Sequence, residues 1–188
     1  MTFPSHDQDS APEASKPLLE ESQKAFGRLP GLHRVLAESP QAFEGYQVLH
    51  KLFTETAFDA EELTVVWQSI NVENECHYCV PAHTGIAKMM KVSDEISDAL
   101  RNETPLPTPK LEALRTFTVQ MVRNRGFVSE AQMQAFFDAG YGHRAVLDVI
   151  LGMAQKTISN YVNHVAETPV DEVFQPLTWK RGDKKLDV

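Results

Sequence analysis

No uncharged apolar run in the 188-residue chain approaches the ~20 residues a helix needs to cross a bilayer, which excludes a membrane-spanning helix. Basic residues are outnumbered, 18 against 26 acidic, for a net charge of −8. That balance repels a phosphate backbone, so nucleic acid is not an expected partner. Cysteine is scarce: two residues exclude a disulfide scaffold. The opening MTFPSHDQDSAPEASKP has no basic n-region and no apolar h-region, so no secretory signal and a cytoplasmic location are expected. Rich in Pro, Ser, Asp and Gln with almost no large apolar residue, residues 1–17 are predicted to be a flexible, solvated tail outside the fold.

Proline is missing where long helices need it to be. Of 11 prolines only Pro81 lies between Pro40 and Pro105, and none lies between Pro109 and Pro169. Ser39-Pro40 predicts a helix start, with Phe43, Tyr46, Leu49, His50 and Phe53 at helical spacing. Asp59 caps the next helix, whose Leu63, Val66, Trp67 and Ile70 form one buried face. A further helix starts between Cys76 and Val80, and Pro81 is tolerable there because a first turn needs no internal N–H donors. Ser93 opens a short helix, Leu111 to Met121 form a long amphipathic face, Ser129 to Ala139 are helical up to Gly140, and Ala145 to about Val165 make a long helix. No stretch alternates with period two, so the fold class is all-α: one helical domain over 18–175, followed by a tail over 176–188 whose basic run is taken as solvated.

Both cysteines fall in Glu75-Cys76-His77-Tyr78-Cys79-Val80-Pro81-Ala82-His83. On a helix, offsets 0, 3 and 7 span roughly 60° at 100° per residue, so Cys76, Cys79 and His83 share a face. A helix N-terminus, an imidazole and a second thiol all favour the reactive thiolate, which points to a redox dithiol. Two buried small hydrophobes is the plainer alternative. Zinc is the sharper one, but a single helix supplies too few directions to close a tetrahedron and no second CxxC or HxxxH exists, so no metal or other cofactor is expected. Glu73 and Glu75 read as a solvated pair near a helix start, and His77, off the shared face, either tunes the thiols or faces solvent. Asn160, Asn163 and His164 make a polar cluster near the end of an otherwise apolar helix, either a hydrogen-bonded structural knot or part of the pocket around the cysteines.

The string from Asn74 to Cys79 through His83 resembles the CxxCxxxH motif of the alkylhydroperoxidase D-like branch of the carboxymuconolactone decarboxylase superfamily. Gly27-Arg28-Leu29-Pro30, Ala37-Glu38-Ser39-Pro40 and Tyr46 resemble the amino-terminal part of its peroxidase-related members, and Asn160 to His164 with Thr168-Pro169-Val170-Asp171 their carboxyl-terminal signature. The resemblance, over residues 24–174, implies an alkylhydroperoxidase D-like helical domain, a homo-oligomer in trimers or hexamers, and a thiol-dependent peroxidase using a hydroperoxide substrate and a dithiol reductant. By motif position it implies that Cys79 attacks the peroxide, Cys76 resolves the sulfenic acid and His83 belongs to a proton relay. The family's relay glutamate, twelve residues before the first cysteine, is replaced by Thr64; Glu62 matches a neighbouring acidic position on a different face, and His77 and His164 are further candidates for the relay or pocket. The contrasting readings are a redox-sensing or helical assembly protein, and a decarboxylase-like enzyme, whose relatives lack the cysteine pair.

Overall fold

A computed structural model describes residues 3–182. Among them the chain forms α1 (Lys16–Phe26), α2 (Gly31–Leu36), α3 (Pro40–Thr54), α4 (Ala60–Glu73), α5 (Cys79–Met89), α6 (Asp94–Asn102), α7 (Pro109–Arg123), α8 (Glu130–Asp138) and α9 (His143–Val165), with 3-10 turns at Glu13–Ser15 and Glu172–Leu177 and no strand. The starts follow local chemistry. Ser39, Ser93 and Thr108 each accept a hydrogen bond from the backbone N–H three residues on, while Asp59 with Glu62 and Ser129 with Gln132 form reciprocal capping boxes.

Helix α4 is the axis of the molecule. Every residue from Glu62 to Val72 is buried, where the apolar spacing predicted one buried face, because α5, α6, α7 and α9 all pack against it. Enclosure obliges its polar residues to bond internally. Gln68 donates to the Val80 carbonyl at 3.1 Å, and Asn71 donates to Gln68 at 3.0 Å. Trp67, Ile70, Leu100, Leu114, Phe117 and Phe136 belong to the larger core. A second core gathers Leu19, Leu36, Phe43 and Tyr46 around Cys76, Tyr78 and Cys79.

Both ends of the chain differ from expectation. From residue 3 on, the stretch predicted as a solvated tail is held to the fold at several points: Ala11 joins the second core, Ser15 is buried and donates to the Ala37 carbonyl at 2.6 Å, and His6 meets Glu38 at 2.6 Å. Polar groups tie it to α2: the His6 N–H donates to the Arg34 carbonyl at 3.0 Å, and Arg34 Nε donates to the Ser5 hydroxyl at 3.0 Å. After α9 the chain runs back across α5. Asp171 accepts from Arg28 at 2.6 Å, from the Gly31 N–H at 2.9 Å and from the Tyr78 hydroxyl at 2.9 Å. Phe174 lies so close on Gly85 that a Cβ there would overlap its ring. Trp179 donates to the Arg101 carbonyl at 2.9 Å, and Arg181 pairs with Glu103 at 2.6 Å and Glu73 at 3.3 Å, so this part of the predicted tail is pinned as well. The rest of that tail, 183–188, lies outside the described residues. No helix among the described residues is long and apolar enough to cross a membrane.

Candidate active site

The end of α4 sets up the cysteine turn. Glu75 takes a left-handed φ of 54°, and the Cys76 N–H closes back onto the Asn71 carbonyl at 2.9 Å, a six-residue closure that turns the chain sharply. Cys76 therefore stands one turn ahead of α5 rather than inside it. Its carbonyl accepts from Val80 N–H at 3.1 Å and its sulfur from Cys79 N–H at 3.3 Å, so the thiol occupies the place of a helix-capping oxygen. Cys79 begins α5, at the positive end of the helix dipole, and His83 follows one turn later.

Helix α9 closes the site from the other side. Asn163 Nδ2 donates to Cys79 Sγ at 3.3 Å, and Asn160 donates to Asn71 at 3.0 Å while accepting from Asn74 at 2.9 Å. Lys156, 1% exposed, places Nζ 3.0 Å from His83 Nε2 and has no carboxylate partner among the described residues. An ammonium group has no acceptor, so Nε2 accepts and the ring proton sits on Nδ1. That Nδ1 is buried without a partner. Trp67 packs on His83 at 4.9 Å between ring centroids and donates to Gln155 at 2.7 Å; Gln155 in turn meets His50 at 3.2 Å.

The two thiols are pushed apart in acidity. Burial opposes ionisation of Cys79, but the Cys76 thiol, the Lys156 charge, Asn163 and Asn160 overcome it and hold Cys79 well below the usual thiol range. Cys76 is pushed up, first by the hydrogen bond it gives Cys79 and then by burial. Burial and the neighbouring Lys156 and His50 keep His83 neutral, well below the usual imidazole value. Burial likewise lowers His50 to about 4.

Cys76, Cys79 and His83 are thus brought together, with both sulfurs buried. Thr64 is buried but turns its hydroxyl back to the Ala60 carbonyl of its own helix at 2.8 Å, and the hydrogen-bond partner of His83 is Lys156 instead. Glu62 stays at the start of α4, in the capping box and paired with Lys110 at 2.9 Å and Tyr141 at 3.1 Å. His77 meets the Thr168 carbonyl at 3.0 Å, and His164 is exposed. Glu73, read as solvated, is half-enclosed between Arg123 and Arg181. Lys156 escaped the sequence reading, although it lies four and seven residues before Asn160 and Asn163, on the face those amides define. Among the described residues no group of three His, Cys, Asp or Glu side chains could hold a metal ion.

No protein-family model matches the sequence, and no curated protein matches it. The fold has solved counterparts. The chain is similar to an alkylhydroperoxidase AhpD core, a peroxidase-related protein from Ralstonia eutropha JMP134, at 20% identity and a TM-score of 0.82 over 92% of this chain and 93% of that one. It is similar to a peroxidase-related protein from Silicibacter sp. TM1040 at 16% identity and 0.77, over 93% and 92%. A third counterpart is a cysteine-to-alanine variant of the debrominase Bmp8 in complex with 2,3,4-tribromopyrrole, at 13% identity and 0.78, over 94% and 95%. At such identities the likeness is one of fold, and the fold is the alkylhydroperoxidase-like all-helical one that the sequence motifs lead one to expect.

Proposed function

We propose that the protein is a thiol-dependent peroxidase that cycles Cys79 and Cys76 between dithiol and disulfide. The observation that supports this reading is the pair of cysteines one turn apart with opposed acidities, beside a neutral histidine with an unpartnered ring nitrogen. In the proposed cycle the Cys79 thiolate attacks the terminal oxygen of a hydroperoxide. A sulfur–oxygen bond forms, the oxygen–oxygen bond breaks, and the departing alkoxide takes a proton to leave as an alcohol. With Nε2 held by Lys156, the neutral His83 presents its Nδ1–H as a hydrogen-bond donor to the departing oxygen, and the proton that completes the alcohol is taken from the solvent. Cys76 then attacks the sulfur of the Cys79 sulfenic acid; the disulfide forms and water leaves with the Cys76 proton. A small or protein dithiol restores both thiols by exchange.

The single-cysteine variants test the assignment. Cys79→Ser is expected to abolish peroxide consumption, whereas Cys76→Ser reacts once and accumulates trappable sulfenic acid at Cys79. Equal reactivity of the two, or sulfenic acid trapped only at Cys76, would reverse the roles, and thiols inert to stoichiometric peroxide would favour a non-peroxidatic protein. A homo-oligomer in the cytoplasm belongs to the same proposal: α9 leaves Leu147, Ile150, Tyr161 and Val165 exposed, and Val48 and Leu52 are exposed on the adjoining α3. Light scattering at micromolar concentration is expected to give a multiple of the 21.1 kDa chain, and a monomer would remove that part.

A further inference from the structure

We propose that Lys156 is a positioning residue that supplies the counter-charge of the Cys79 thiolate, and that this charge pairing stabilises the dithiol form so that the Cys76–Cys79 disulfide is a strongly oxidising, easily reopened one. The inference rests on the dithiol reading above and adds what sets its poise. Lys156 is 1% exposed, is anchored to His83 Nε2 at 3.0 Å, and has no carboxylate to pair with among the described residues. It projects from the α9 face that also carries Asn160 and Asn163, and Asn163 touches Cys79 sulfur. Its charge acts on both sulfurs. In the reduced protein the buried cation is balanced by the thiolate. Oxidation removes that anion and leaves the cation enclosed without a partner, the costly state for a buried charge. Whatever stabilises the reduced form raises the potential of the couple.

The couple is read against glutathione, a small-molecule disulfide, with no peroxide present. The Cys79 thiolate, the Cys76 thiol, one glutathione disulfide and one proton give the Cys76–Cys79 disulfide and two glutathione thiols: one protein sulfur–sulfur bond forms, the glutathione one breaks, and two electrons pass to glutathione. For Lys156→Met, folded by circular dichroism, the expected shift is at least tenfold toward the protein disulfide, about 30 mV for a two-electron couple. The ultraviolet absorbance of the Cys79 thiolate should titrate at higher pH in the same variant. Lys156→Arg, which keeps the charge, should stay within about threefold of the native constant. A folded Lys156→Met protein with an unchanged constant would overturn the inference while leaving the peroxidase reading standing; absence of any Cys76–Cys79 disulfide in these buffers would instead remove the dithiol reading itself.

A measurement on the native protein decides the matter if Lys156→Met fails to fold. The titratable groups around the sulfurs are Cys76 and Tyr78 ahead of α5, with Asp171 on the Tyr78 hydroxyl, His83 on α5, Tyr46 on α3 and Lys156 on α9; His50 of α3 and His33 of α2 lie one ring further out, against Tyr46, and α4 presents the amides of Gln68 and Asn71. Burial keeps His33 near 3, His50 near 4 and His83 well below its usual value, and it raises both tyrosines. His77, inside the cysteine pair and turned to the Thr168 carbonyl, is replaced in a parallel His77→Asn sample as a control. Over about pH 5.5 to 7.5 the balanced reaction consumes one proton, so formation of the protein disulfide should weaken tenfold per pH unit. A flat profile would overturn the inference, since it means that Cys79 is protonated when reduced or that Lys156 loses its proton on oxidation.

Discussion

Asn163 gives Cys79 sulfur a donor at 3.3 Å, while its own side-chain oxygen is buried without a partner. The two halves of the amide therefore make separable demands. Asn163→Ala removes a hydrogen bond to a charged sulfur, worth ~1.5–3 kcal/mol, together with an orphaned oxygen that costs stability. The expected result is a Cys79 thiol titrating at least one pH unit higher, so that its reaction with peroxide falls away at a correspondingly higher pH on acidification, in a protein whose melting temperature hardly changes. Rate and thiolate absorbance followed across pH check this; a variant that melts much earlier with its thiol unchanged would contradict it. Residues in one short segment were legible in advance, because the spacing of Cys76, Cys79 and His83 is local arithmetic. Lys156 required knowing which face of α9 turns inward. At about 100° per residue Lys156 falls between Asn160 and Asn163 around α9 and His164 falls about 40° beyond Asn160, so the amides could be grouped with either, and it is packing against α4 and α5 that turns Lys156 inward.

Where helices cross, the smallest side chains set how closely they approach. Gly152 on α9 faces Phe53 of α3 and Val66 of α4: an added Cβ would lie 2.7 Å from the Phe53 ring and 3.0 Å from Val66. Phe53 is wholly buried, so nothing gives way cheaply. Gly152→Ala should lower stability by about 1–3 kcal/mol and shift α9, and with it Lys156 and Asn163, relative to the thiols. Gly45 lies inside α3 with nothing within 4 Å of the corresponding position. There Gly45→Ala should raise stability by up to ~1 kcal/mol, because it gains only helix propensity. Chemical denaturation of the pair checks the signs, and equal effects would mean that the α3–α4–α9 contact is looser than described. Element boundaries were readable wherever a cap announced them, as at Ser39, Asp59 and Ser129. Helices α1 and α2 were not, because α1 holds Leu18, Leu19, Ala25 and Phe26 among mostly polar residues, α2 is a turn and a half long, and both depend on the second core for their order.

Seen as a whole, the molecule folds around three imidazoles kept neutral by burial: His33 near 3, His50 near 4, and His83 well below its ordinary value. The unfolded chain takes up these protons as the pH falls below about 6.5, and the folded one does so only at its lower values, so stability declines with acidification through that window. Each histidine adds up to ~1.4 kcal/mol per pH unit to the slope. Melting temperature should fall steadily from pH 7 to pH 5, and a flat profile would mean that the histidines are already charged in the native protein. The same enclosure shapes how the thiols meet the outside. Their sulfurs are buried beneath the amino-terminal layer, while the segment after α9 is fastened across α5 through Asp171 and Phe174. An alkylating reagent therefore waits for a breathing motion, and its labelling rate should climb with reagent concentration only to a plateau. That plateau is a clock for the opening itself, and it sets a ceiling on how fast any electron donor too large to enter the closed protein can complete the cycle.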